Sequence, residues 1–520
     1  MMSRTSIDAN IDANLSIPDL PAVLVHLFER AQRPLLPGSQ GLPRLFVRYL
    51  RRKPGRGLAL ICSVDEPCSS PKTLATDPNR LVSLTLDEQA LDGNHIRFNA
   101  AQVQQAPLEI QSSGVLRVHD LGLSVQAFPA DGGLPALAAS CDTTPRSLLF
   151  ESLQSAAQIQ LRSPAWRLIS ANGDPVRYKP ANRYVIRYHL LLEHLQHLQP
   201  TAGTSQRELT LFGKVYADPA QAHRLQSWQQ QLYEEQERTG DIPVLPRPLG
   251  MIDALGLTLN EAVQPTKENE QHAEGRWGVL RTGTNAFQPQ LERGYGGESI
   301  QVIIPNEELR LTAQALVRFH NSTVRPNEDA PRTGAKEAKR IRERAALIAG
   351  HTPTHAGEVQ QLAQQLATYL ETMQPATYRL AHGAFRPSQL LFHSHHVFVV
   401  DFDGLCLADP ALDVGYFLAY LHPSGFWYQR SGMHQWFEAA AEHFCRAYCQ
   451  AMLEHGVVQA TIDGILERSR LYEAAILFKI AARRVNRLNS PRPQELSRML
   501  NQIAAYLSEA RRNWAWISTK

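Results

Sequence analysis

No apolar run in this 520-residue sequence approaches membrane-spanning length, which takes about 20 consecutive apolar residues, so no membrane partner is expected. The opening stretch MMSRTSIDANIDANLS is polar and has no apolar core of a secretory signal; residues 1–16 are expected to form a disordered tail. Blocks of like charge are scarce as well. The net charge is only +3 and the longest basic run is Arg51-Arg52-Lys53, too little to argue for nucleic acid or an anionic membrane. Cysteine is sparse: Cys62, Cys68, Cys141, Cys406, Cys445 and Cys449 contain no CxxC pair. Cys445 and Cys449 stand four apart on a helical pattern, but no second pair completes a metal site. Buried free thiols in a reducing cytoplasm are the expectation.

What is present is ordinary for a globular protein: 20% charged and 43% apolar residues. A chain this long divides into two or three folding units. Residues 17–160 read as an α+β module. The spacing of Leu20, Val23, Leu24 and Leu27 predicts a helix over Pro18–Arg30. Strand-like runs follow at Leu45–Tyr49, Leu58–Val64, Leu81–Leu86, Val115–Val118 and Leu123–Phe128, separated by Gly, Pro, Asn and Asp. Helical stretches come next, over Leu134–Ser140 and Pro145–Ala156, with Pro145 suited to a first helical position. From 161 to 263 the order is a strand (Trp166–Ile169), a turn (Asn172-Gly173-Asp174), a strand (Tyr184–His189), a strand carrying Lys214 (Leu209–Tyr216), a helix (Pro219–Arg238) and two strands (Leu249–Ile252, Leu257–Val263). Residues 264–305 are polar and Gly-rich with little periodicity, an insertion or lid. Residues 306–520 are helical, with helices expected over Asn306–Asn321, Ala335–Ile348, Glu358–Met373, Met433–His455, Ile462–Val485 and Gln494–Arg511. The basic side of Ala335–Ile348 (Lys336, Lys339, Arg340, Arg342, Arg344) reads as a solvated face.

The densest chemistry lies in residues 380–421, LAHGAFRPSQLLFHSHHVFVVDFDGLCLADPALDVGYFLAYL. A tight turn at His382-Gly383 precedes a short apolar strand, Val397–Val400, that ends at Asp401. Asp403 and Asp409 follow in a loop, and Asp413 opens a helix bearing Val414, Phe417, Leu418 and Leu421. A carboxylate at the end of an apolar strand suits a divalent cation bridging phosphates. His393, His395 and His396 read as a polar hairpin tip, since the run holds no acidic or Cys partner for a metal.

This block resembles the aminoglycoside phosphotransferase family, the small-molecule branch of the protein-kinase-like fold. Members carry His-Gly-Asp-x-His-x-x-Asn, then an apolar strand ending Ile-Asp-Phe/Trp-Asp/Glu, then Gly-x-x-Asp-Pro-x-x-Asp-Leu-Ala. This chain reads His382-Gly383-Ala384-Phe385-Arg386-Pro387-Ser388-Gln389, then Val400-Asp401-Phe402-Asp403-Gly404, then Ala408-Asp409-Pro410-Ala411-Leu412-Asp413-Val414-Gly415. The second half matches closely. The first half departs at three positions: Ala384 replaces the catalytic Asp, Arg386 the second His, and Gln389 the metal-binding Asn.

The resemblance implies an α+β, two-lobed protein-kinase-like fold that uses ATP and Mg²⁺, with a β-rich N-lobe over 161–263 and a helical C-lobe over 306–520, residues 17–160 being an extra module. It implies that Lys214 holds nucleotide phosphates, braced by Glu234, Glu235 or Glu237, and that the backbone of Glu261 and Val263 meets the adenine edge. Asp401, with Gln389 and Asp403, would hold the metal. Asp409 would brace the His-Gly turn, Asp413 would cap its helix, His382 would orient the catalytic loop, and Arg386 would stabilise the transferred phosphate. The phosphate-covering loop, expected at Ser170–Asp174, contains a single Gly. Three functions stay open: ATP-dependent phosphoryl transfer to a small hydroxylated molecule, a pseudokinase that binds nucleotide and docks a protein partner, and nucleotidyl transfer on the same fold. Ala384 divides them, because a methyl group cannot accept the acceptor's hydroxyl proton.

Overall fold

The computed structural model describes residues 20–33, 42–53, 57–65, 80–92, 95–195, 206–240, 244–263, 281–293, 300–325, 331–373, 375, 377–393, 395–485 and 492–517. The expected tail 1–16, Cys68 and much of the 264–305 insertion lie outside them. The chain divides into two compact units. The first comprises residues 1–227, 247–262 and 487–490, the second residues 228–246, 263–486 and 491–520. No helix among the described residues is long and apolar enough to cross a membrane.

The first unit is built on two antiparallel sheets. Helix α1 (Leu20–Arg30) buries Leu20, Val23, Leu24, Leu27 and Phe28, the apolar stripe that its sequence spacing requires. The stripe packs on a sheet of β1 (Leu45–Lys53), β2 (Gly57–Val64), β3 (Leu81–Leu86), β4 (Glu109–Ile110), β5 (Leu116–Val118) and β6 (Leu123–Ala127), in the order β1-β2-β3-β6-β5-β4. Strand β2 reads GLALICSV because both its faces are covered. Leu58, Leu60, Cys62 and Val64 enter the core under α1, while Ile61 enters a second core. That second core joins α2 (Leu148–Gln160) to a five-stranded sheet and draws residues from both sides of position 160.

The second sheet comprises β7 (Trp166–Lys179), β8 (Arg183–His194), β9 (Gln206–Tyr216), β10 (Pro248–Ile252) and β11 (Leu257–Glu261), in the order β10-β11-β9-β8-β7. Period-2 alternation places Tyr184, Ile186, Tyr188, Leu190 and Leu192 of β8 in the core. Helix α3 (Pro219–Thr239) follows β9, so the order strand, strand, Lys-bearing strand, helix, strand, strand is realised.

Two local expectations are corrected. Asn172-Gly173-Asp174 forms no turn: β7 runs straight through it, paired with β8 from Lys179↔Arg183 to Trp166↔His194. A Cβ on Gly173 would stand 2.8 Å from Ile186 Cδ1, so a larger residue there shifts the end of that side chain. The hairpin turn comes instead at Pro180–Asn182, where Ala181 has φ +52°. Leu134–Ser140 forms no α-helix, only successive turns that end in a 3₁₀ turn at Ala139–Cys141. The next helix starts at Leu148, capped by Ser147 Oγ, which accepts Phe150 N–H at 3.0 Å, so Pro145 lies outside it.

The second unit is mainly helical: α4 (Asn306–Asn321), α5 (Gly334–His351), α6 (Ala356–Thr372), α7 (Ala411–Leu421), α8 (Met433–Glu454), α9 (Gln459–Val485) and α10 (Leu496–Ile517). Between α6 and α7 lie the short strands β12 (Arg379–Ala381), β13 (Leu390–His393), β14 (His396–Val399) and β15 (Cys406–Ala408). Strand β12 pairs with β15, and β13 with β14. Gly415 lets α7 approach α9, since a Cβ there would stand 2.6 Å from Ser469 O and 2.7 Å from Glu473 N.

Candidate functional site

The two loops expected to carry chemistry meet in the second unit. Strand β12 delivers His382 to a turn in which Gly383 takes φ +71°, and a Cβ on Gly383 would fall 2.0 Å from Gly404 O. Only glycine satisfies both conditions. The turn is pinned from several sides. His382 N–H donates to Asp413 Oδ2 at 2.6 Å, His382 Nε2 bonds Val400 O at 3.2 Å, and Arg332 Nη1 donates to Gly383 O at 2.6 Å. The His382 ring is fully buried among Phe319, Phe385 and Phe402. Burial, against the pull of the Asp413 and Asp401 carboxylates, lowers its pKa and keeps the imidazole neutral. An imidazole so enclosed is bonded within the protein, to Val400 O.

The bracing roles of two aspartates are the reverse of expectation. Asp413 lies inside the first turn of α7, and its carboxylate reaches back to the His-Gly turn instead of capping its own helix. His320 Nε2 stands 3.7 Å away, within ion-pair range. Burial would raise the Asp413 pKa, but His320, His382 and the His382 N–H together lower it. Asp409 instead accepts two bonds from Arg468, Nε to Oδ2 at 2.7 Å and Nη2 to Oδ1 at 3.1 Å, and one from Ala411 N–H at 3.1 Å. It ties α9 to the start of α7.

Asp401 stands two residues past β14, in the left-handed region, φ +69° and ψ +60°. A non-glycine residue held there costs about 1–3 kcal/mol, least for Asn and Asp, and seven other non-glycine residues among those described also have positive φ. Gln389 lies opposite, with Nε2 3.4 Å from Asp401 Oδ2 and Oε1 buried without a hydrogen-bond partner. The amide has nearly the same shape when its oxygen and nitrogen are exchanged. Turned over, it places Oε1 on the side of the Asp401 carboxylate. Asp403 sits half-buried in the following turn, Phe402–Gly404. Among the described residues no group of three or more His, Cys, Asp or Glu forms a metal cluster. A Mg²⁺ ion bound through phosphates takes only one or two protein carboxylates, so Asp401 with Gln389 fits its donor chemistry. Ala384 is half-buried, and a Cβ on Gly404 would stand 3.5 Å from its methyl. Arg386 projects over the Tyr420 ring, 5.4 Å from its centroid, with Nε buried and unpartnered.

The expected nucleotide residues of the first unit fall on its five-stranded sheet. Lys214 is half-buried on β9, opposite Val185 and Thr258, with Nζ 5.3 Å from the Tyr216 ring centroid. Glu261 ends β11 with its N–H donated to Arg247 O at 3.0 Å and its carboxylate accepting Arg247 N–H at 2.7 Å; that N–H is committed to the sheet. Val263 is half-buried just beyond β11. Of the three candidate braces for Lys214, Glu235 accepts from Ser322 Oγ and Thr323 N–H at 2.5 and 2.7 Å, and Glu234 accepts from Gln230 at 2.7 Å. The hairpin turn at Pro180–Asn182 is anchored by Asp131, whose Oδ2 accepts Tyr178 O–H at 2.7 Å and Ala181 N–H at 2.9 Å.

Several contributors had no strong signature in the sequence. Arg332 and Arg468 are single arginines in unremarkable surroundings. The (i, i+4) spacing of Tyr416 with Tyr420, and of Lys479 with Arg483, is the one pattern that could have drawn notice.

No curated protein sequence matches the chain. Among solved structures, a glucosamine kinase in complex with glucosamine, ADP and inorganic phosphate is 14% identical, with a TM-score of 0.40, over 80% of this chain and 96% of that one. A choline/ethanolamine kinase family protein from Mesorhizobium loti is 12% identical, with a TM-score of 0.37, over 61% of this chain and 94% of that one. A choline kinase from Streptococcus pneumoniae is 11% identical, with a TM-score of 0.35, over 69% of this chain and 99% of that one. Superpositions this loose transfer no residue roles. Residues 296–460, which contain the whole His382–Asp413 loop system, match the phosphotransferase enzyme family.

Proposed function

We propose that the chain binds Mg²⁺-ATP and transfers its terminal phosphoryl group to a small hydroxylated molecule. The observation that carries this reading is the Asp401–Gln389 pair: a strained carboxylate facing a buried amide whose oxygen has no partner. Asp401 and Gln389, with Asp403 beside them, would hold Mg²⁺, which when bound neutralises phosphate charge. His382 positions the loop through Val400 and Asp413. Lys214 is the proposed phosphate contact of the first unit. With Ala384 in place of a base, the acceptor hydroxyl loses its proton to solvent or to the transferred phosphate. Such a base is worth about 10²–10⁴-fold in rate, so turnover is slow. Phosphoryl transfer rests mainly on positioning and charge stabilisation, which leaves it feasible. A second reading, a nucleotide-binding pseudokinase that docks a partner, is favoured by the same methyl group at 384.

Thermal-shift titration with ATP, with and without Mg²⁺, tests the common premise. Wild type gains stability with Mg²⁺-ATP, by about 2.7 kcal/mol at a hundredfold excess over Kd, and Asp401→Ala loses the Mg²⁺-dependent part. No shift in wild type sinks both readings. ADP release against a panel of alcohols then separates them: turnover by wild type supports transfer, whereas turnover only after Ala384→Asp identifies a disabled kinase. A product heavier by AMP would replace both with nucleotidyl transfer.

A further inference from the structure

We propose that Arg386, Lys479 and Arg483, arrayed with Arg332 on the paired rings of Tyr416 and Tyr420, form a binding site for a phosphate-bearing ligand beside the His382–Gln389 loop. Tyr416 and Tyr420 stand one turn apart on α7, their rings 6.2 Å apart and within 7° of parallel. Lys479, from α9, donates to Tyr416 O–H and lies 4.6 Å from that ring's centroid. The Arg332 guanidinium is 5.9 Å from the same centroid. Arg386 covers the Tyr420 ring, and Arg483 Nη1 donates to the Tyr420 hydroxyl at 3.1 Å.

The cluster is short of negative charge. Its carboxylate is Glu337, fully buried and already bonded by Arg332 at 2.7 Å and by Arg340. Burial alone would raise the Glu337 pKa, yet Arg332, Arg340 and Arg344 bring it down to about 2. Lys479 fares the opposite way. The charged groups pressing on it are Arg483 of its own helix, Arg344 of α5, Arg332 just before α5 and Arg386 of the loop. Burial and these cations push it down to about 6. Arg344 belongs to the helix side expected to be solvated, but it is half-buried and turned toward this group. Packing guanidinium groups this closely around Lys479, with Glu337 as the counter-charge, keeps that amine from holding its proton unless an anion joins them. A donor also waits for an acceptor, since Arg386 Nε is buried and unpartnered. The site is reachable: Tyr420 and Lys479 are half-buried and Arg483 is exposed.

Its position gives it meaning for the reaction. Arg332 holds Gly383 O, next to Ala384, and Arg386 lies two residues beyond Ala384. Tyr420 also lines a cleft of about 450 Å³ shared with Pro387, Ser388, His422 and Arg430, a size suited to a small ligand. An acceptor with a phosphate on the cations has its body in reach of that cleft, and a polycationic acceptor is repelled. Naming the occupant a substrate rests on the phosphotransferase reading; the anion site stands without it.

Inorganic phosphate is the probe, titrated into the full chain by calorimetry and thermal shift against chloride of equal ionic strength. Wild type binds phosphate and its Tm rises. Arg483→Gln, a surface change, weakens binding about tenfold. Lys479→Met removes the phosphate response and raises the Tm of the ligand-free chain. Asp401→Ala, which abolishes the Mg²⁺-ATP response, keeps phosphate binding, so the two proposals fail separately. With saturating Mg²⁺-ADP present, undiminished phosphate binding assigns the site to an acceptor's phosphate, and competitive loss assigns it to the nucleotide's; both leave the site standing. No response beyond chloride in wild type, or an equal response in Lys479→Met and Arg483→Gln, overturns it.

Discussion

Asp413 is a helix residue that works for a loop. Its carboxylate accepts the His382 N–H at 2.6 Å from inside α7 and is fully buried. Replacing it with Ala leaves a buried N–H without a partner, a loss of about 1–3 kcal/mol. The Asp413→Ala variant therefore unfolds at lower urea concentration, and the His382 amide exchanges faster. Asp409→Ala leaves the His382 amide protected, because Asp409 serves Arg468. Equal exchange in the two variants would refute this division of labour. Gly383→Ala is harsher, combining a left-handed φ with a 2.0 Å approach to Gly404 O. It lowers stability by about 2 kcal/mol or more, read as a shift in the urea midpoint.

At the scale of elements, the hairpin of β7 and β8 differs from what turn chemistry suggested. Asn-Gly-Asp is a strong turn signal in isolation, but β8 pairs with all three of its residues, from Asp174↔Arg187 to Asn172↔His189, and strand pairing outweighs one local preference. The true turn, Pro180–Asn182, is tied down by Asp131. Asp131→Ala removes three hydrogen bonds, from Tyr178 O–H, Ala181 N–H and Gly133 N–H, and costs about 2–4 kcal/mol. Hydrogen exchange checks this: the Ala181 amide loses protection while β13 and β14 of the second unit keep theirs. The helices were easier to read. Asn306–Asn321 forms over the very span its periodicity predicts, and Met433–Glu454 ends one residue short of expectation. Gly415 marks where the pattern falls silent, because its need comes from Ser469 and Glu473 on α9. Gly415→Val forces the helices apart and costs about 1–3 kcal/mol by overpacking, measurable as a fall in the urea midpoint.

For the whole molecule, buried ionisable groups set the pH response. Burial lowers the pKa of His382, and that of His422 to about 3. An unfolded His binds its proton near about 6.5. Below that pH the unfolded chain holds protons that the folded chain lacks, so stability falls on acidification by up to about 1.4 kcal/mol per pH unit per group. Lys479 acts with the same sign at higher pH: folded at about 6 and unfolded near about 10.4, it makes stability rise with pH between those values. Glu473, raised by burial, works the other way from about 4.3 upward to its folded value. The unfolding midpoint followed from pH 4 to 9 tests the assignments. His422→Phe flattens the acid limb, and Lys479→Met flattens the limb above about pH 6; an unchanged profile in either variant would remove that group from the account.

Periodicity, turn residues and the motif in residues 380–421 sufficed to place most helices and strands, because each depends on neighbours a few positions away. They also singled out Asp401 and Gln389, the pair proposed to hold the metal, and Ala384, where the proposed reaction lacks a base. What they could not supply was the partner of each charge. Asp413 and His382 are 31 positions apart, Asp409 and Arg468 59, Arg332 and Gly383 51, and Lys479 and Tyr416 63. A carboxylate or a cation carries no local mark of the group it will meet. The packing of α7 against α9 and of the loop against Arg332 makes those choices, and with them turned one helix's basic residue inward and gathered cations around two tyrosines.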